Sequence, residues 1–86
     1  MSRTKKDHHI RQAMCRRFVL AMDELGLTAA EIARALGYAN ATTITKVQRG
    51  ESFVDVERLH LLAQLKTVEG GRIDLNWLIA GEEMKS

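Results

Sequence analysis

Between Asn40 and Arg49 the chain carries Asn40, Thr42, Thr43, Thr45, Lys46 and Arg49, and no acid. A carboxamide and hydroxyls donate and accept hydrogen bonds, whereas an ammonium and a guanidinium only donate and carry positive charge. Such a set suits recognition of a polar, anionic partner rather than bond-making. Its geometry depends on the local backbone. Thr42-Thr43-Ile44-Thr45 are four β-branched residues in a row, a composition that favours strands. As a strand, however, the stretch has no apolar face: Thr43, Thr45 and Val47 alternate with Thr42, Ile44 and Lys46. As a helix, Ile44 and Val47 share one side. Thr42, Thr45, Lys46 and Arg49 then fall at i, i+3, i+4 and i+7 on the other. The pattern therefore predicts a helix from Ala41 to Arg49, capped by Asn40 and closed by Gly50, with a polar, acid-free outer face.

Other reactive residues do not assemble into a centre. His8, His9, His60 and Cys15 are the only soft metal ligands, and none has zinc-site spacing. Gly70-Gly71 follows no strand, so it is no phosphate loop. The acid pair Asp23-Glu24 sits at an exposed helix end. No enzyme activity, cofactor or metal is expected.

Eighty-six residues make one domain with a modest core. No apolar run is long enough to cross a membrane, and no apolar segment follows the basic start as a secretory signal requires. A single cysteine excludes an intrachain disulfide and suits a reducing cytoplasm. Net charge is +2 but unevenly spread: Arg3, Lys5, Lys6, Arg11, Arg16 and Arg17 precede residue 18, against Asp7 alone. That asymmetry points to a polyanion partner.

The elements that position these groups are read as helices. Residues 1–9 read as a basic, flexible arm. Ile10, Met14, Phe18, Met22 and Leu25, with Ala13 and Ala21, form the apolar stripe of a first helix, Ile10 to Leu25, stopped at Gly26. Thr28-Ala29-Ala30-Glu31 is a capping box for a second helix, Ala29 to Leu36, with Leu27 as a staple and Gly37 as its stop. Ile32, Ala33, Leu36, Tyr38, Ile44 and Val47 supply the core shared with the third. Asp55 caps a fourth helix, Val56 to Leu65, with Val56, Leu59, Leu62 and Ala63 inward. Lys66 to Arg72 is a loop. Asp74 caps a fifth helix, Leu75 to Ala80, ended by Gly81. Its Trp77, Leu78 and Ile79 read as core, with some surface left for a second subunit. The domain thus covers residues 10–81, and 82–86 form a polar tail. Arg11, Arg16 and Arg17 read as solvated helix charges.

The segments "GLTAAEIARALGY", "ITKVQRGE", "DVERLHLLAQL" and "DLNWLIAGE" follow one another with spacing that resembles the lambda-repressor/Cro-like, or XRE-type, helix-turn-helix family over about three quarters of the chain. The resemblance implies an all-α, five-helix DNA-binding domain. It also implies a transcriptional repressor of phage or plasmid type, acting as a homodimer on double-stranded DNA with its third helix in the major groove. Base contacts then fall to Asn40, Thr42, Thr43, Thr45 and Lys46. Thr28 and Ala29 at the start of the second helix, Arg49, and Arg3, Lys5 and Lys6 of the arm fall on the DNA backbone.

Three features depart from the family pattern. Ala29 stands where a glutamine is usual. The turn holding Ala39-Asn40-Ala41 is longer, which leaves the base-contact register open by one position. The loop from Val68 to Arg72 is also longer. Ala29 and the low net charge favour a rival reading on the same fold: a protein-interaction or oligomerisation module, including an antitoxin-like one, whose protein partner the sequence does not identify.

Overall fold

The computed structural model describes the backbone over residues 2–81 and side chains over residues 9–81. Among the described residues five helices occur in the order α1 (Ser2–Leu25), α2 (Ala29–Ala35), α3 (Thr42–Gln48), α4 (Val56–Gln64) and α5 (Leu75–Ala80). Among the described residues there is no strand, only an isolated antiparallel bridge between Lys66 and Arg72. The described residues are therefore all-α. No described helix is long and apolar enough to cross a membrane. The tail over 82–86 lies outside the described residues.

The first helix, expected to start at Ile10, starts at Ser2, so residues 2–9 of the expected arm are the first part of α1. No glycine or proline separates it from the stripe, and Arg, Lys and Gln are good helix formers. Extending a formed helix costs far less than nucleating one. Ile10, expected to open the apolar stripe, is instead 53% exposed, so the packed part of the stripe begins beyond it. Farther along, Cys15, Phe18, Ala21, Met22 and Leu25 are buried, and the Phe18 ring meets Phe53 edge-on at 5.9 Å.

Three helices end alike. After α1, the Leu27 N–H donates to the Met22 carbonyl and Gly26 N–H to that of Asp23. After α2, Tyr38 donates to Ala33 and Gly37 to Arg34; after α3, Glu51 donates to Lys46 and Gly50 to Val47. These are Schellman closures, which need a left-handed residue at C′. Gly37 supplies it at φ +86°, and nothing lies within 4 Å of a Cβ built there. The backbone angle alone therefore calls for glycine at that turn.

The capping box on α2 forms as expected, and Asp55 and Asp74 accept first-turn N–H groups of α4 and α5. Despite its β-branched content α3 is helical, because Ile44 and Val47 are fully buried between α1 and α2. Packing outweighs propensity here. Leu59 and Leu62 are buried as expected, but Val56 is not: at the first position of α4 it is 79% exposed, where the stripe runs out past the core. Ile79 is also half exposed, while Leu78 beside it is fully buried. The Lys66–Arg72 segment is a compact turn, pinned to the end of α1 by the Val68 N–H on the Glu24 carbonyl at 2.9 Å.

Candidate nucleic-acid interface

The outer face of α3 is the assembled part of the site. Thr42, Thr45, Lys46 and Arg49, with Ala41, line one shallow open recess. Thr42, Lys46 and Arg49 are exposed and Thr45 is half-buried. No carboxylate lines the recess. Thr43 is half-buried and does not line it, so the three threonines in this helix split into two on the open face and one beside it.

Two of these polar groups are partly committed. The Thr45 hydroxyl donates to the Ala41 carbonyl at 3.0 Å. What it keeps for a partner is its acceptor lone pairs and its methyl. Asn40 Oδ1 accepts the Thr42 N–H at 3.0 Å. The backbone angles place the N-cap at Ala41, whose side chain cannot cap, so Asn40 does that work from one residue upstream. Its amide group is left to donate outward. Asn40 lines a neighbouring recess with Arg34, Tyr38 and Ala41, so Ala41 joins it to the α3 face.

Arg34 is a residue that sequence reasoning passed over. It is exposed on α2 and lines the Asn40 recess. Nothing in the pattern of α2 marks it; only the folding of the turn brings it beside Asn40.

The start of α2 is differently organised from the α3 face. The Thr28 N–H donates to Glu31 Oε1 at 2.9 Å, and Glu31 N–H donates to Thr28 Oγ1 at 3.2 Å. The capping box thus uses the Thr28 amide and holds a carboxylate where a phosphate contact is expected. Ala29 is half-buried against the core. Tyr38 is covered as well: the Arg58 guanidinium lies 4.7 Å above its ring. Burial, followed by the charge of Asp55, pushes the Tyr38 hydroxyl pKa up. Tyr38 is therefore a packing residue with its face occupied. Arg3, Lys5 and Lys6 lie on the N-terminal part of α1; their side chains lie outside the described residues.

Among the described residues no group of His, Cys, Asp and Glu is placed to hold a metal ion. Comparison of the chain with protein-family models, with curated proteins and with solved structures gives no match in any of the three.

Proposed function

We propose that the chain is a sequence-specific double-stranded DNA-binding protein, a transcriptional repressor of phage or plasmid type. It acts in the cytoplasm as a homodimer, through a lambda-repressor-like helix-turn-helix with α3 in the major groove. The observation that carries this reading is the α3 face: Thr42, Thr45, Lys46 and Arg49 together, without a carboxylate, on a helix buried on its opposite side. The face matches what a major groove presents, base-edge acceptors and thymine methyls flanked by phosphates. Lys46 and Thr42 reach toward bases, and Arg49 at the helix end toward phosphate. No catalytic step and no cofactor enter this function.

A second reading has one specific observation behind it. The Glu31 carboxylate at the start of α2 opposes a phosphate there. It favours a protein-interaction module on the same fold.

Selection of bound duplexes from a random DNA pool at moderate salt separates the two. A repressor enriches an inverted repeat with half-sites about one helical turn apart. An interaction module enriches nothing while folded. On the enriched site, Arg49→Ala weakens binding to all sequences alike and lowers the salt slope by about 1. Unchanged affinity and slope would remove Arg49 from the phosphate contact.

A further inference from the structure

A second recess lies beside the C-terminal end of α3. It is lined by Gln12, Cys15 and Arg16 of α1 and by Gln48, Arg49 and Gly50. Two arginines and two glutamines line it, and no carboxylate does; Glu51, next in the chain, is not part of it. The guanidinium groups of Arg16 and Arg49 have no hydrogen-bond or ion-pair partner among the described residues. Two cationic side chains lining one hollow without a carboxylate attract an anion. The planar guanidinium fork also matches an oxyanion with paired hydrogen bonds.

The recess is framed by fixed backbone. Gly50 turns the chain at φ +80°, and its carbonyl accepts from Arg11 Nε at 3.4 Å. The Cys15 thiol donates to the Ser52 carbonyl at 3.2 Å. Burial pushes the Cys15 pKa up, so the thiol stays uncharged at neutral pH and adds no negative charge beneath the hollow.

We propose that this recess is an oxyanion site that takes one phosphodiester of the bound duplex. Arg16 and Arg49 are its guanidinium ligands, and Gln12 and Gln48 its amide donors. The proposal rests on the DNA-binding reading and gives α1, otherwise scaffold, a direct contact with the DNA backbone. It also replaces the expectation that Arg16 is an ordinary solvated charge.

The test compares the full-length wild-type chain with Arg16→Gln, an exposed position, on the selected duplex over a range of salt. Circular dichroism first establishes that the variant keeps its helix content. The expected result is roughly tenfold weaker binding and a salt slope lower by about 1, with base preference unchanged. Neutralising single phosphates as methylphosphonates should reveal one position that weakens the wild type more than the variant, which still holds that phosphate through Arg49. If the wild type binds and Arg16→Gln matches it in affinity and slope, the site is overturned while the DNA reading stands. If the wild type binds no duplex, the DNA reading fails. Inorganic phosphate is then titrated against chloride at equal ionic strength, followed by NMR of the Arg side chains. Phosphate-specific shifts at Arg16 and Arg49 keep the oxyanion site, with free phosphate as its source. No such shifts overturn it.

Discussion

The Thr45 hydroxyl donates to the Ala41 carbonyl, and this narrows what the side chain can offer a base. With its proton used inside the helix, Thr45 meets a groove chiefly through its methyl, which suits the methyl of thymine. Thr45→Val keeps that methyl and removes the hydroxyl. Its base preference, measured on a panel of single-base variants of the selected duplex, should match the wild type. Thr45→Ala removes both groups and should lose roughly 1–3 kcal/mol of discrimination at one position. A Val variant that behaves like the Ala variant would show that the hydroxyl, not the methyl, is read. The spacing of Thr42, Thr45, Lys46 and Arg49 was enough to put them on one face. Which lone pairs and protons remain available was not legible, because that depends on one-residue details of the cap. Asn40 shows the same limit: it caps, as its type suggests, but from upstream of Ala41.

At the scale of elements, glycines and capping residues made the helix ends readable. Gly26, Gly37, Gly50 and Gly81 all take positive φ and follow α1, α2, α3 and α5. Thr28, Asp55 and Asp74 all cap. Such signals are local, so sequence carries them. The start of α1 was not readable in this way, because apolar periodicity marks only the part of a helix that packs. Arg17 was not readable either. Its Nε donates to the Leu78 carbonyl at 2.8 Å and its Nη2 to that of Ile79 at 3.1 Å, closing the end of α5 from across the fold. A cation at a helix C-terminus adds to those bonds through the helix dipole. Arg17→Gln should therefore destabilise the domain by roughly 1–2 kcal/mol in denaturant unfolding. Arg17→Lys should recover only part of that, since it restores the charge but not the fork. If Gln and wild type unfold together, the clamp contributes nothing net.

At the scale of the whole molecule, stability should depend on pH from the alkaline side. Burial raises the pKa of Cys15 from 9.0 and of Tyr38 from 10.0. Each folded-state group therefore holds its proton more tightly than in the unfolded chain. That stabilisation is complete below the unfolded values and is lost as pH climbs through the folded ones. Thermal stability should begin to fall above about pH 9. Cys15→Ala should remove this first part and leave the later part, due to Tyr38; an identical alkaline profile for the variant would exclude Cys15 as its source. The Arg17 clamp has a further consequence, for biosynthesis. Arg17 and Leu78 are 61 residues apart in the chain. At a translation rate of about 5–20 residues per second, α1 waits roughly 3–12 s for α5 to be made. During that interval α1, which carries the buried Phe18, Met22 and Leu25, lacks one of the helices it packs against. The nascent chain thus presents an apolar helix to the ribosome surface and to chaperones before it can present α3 to any partner.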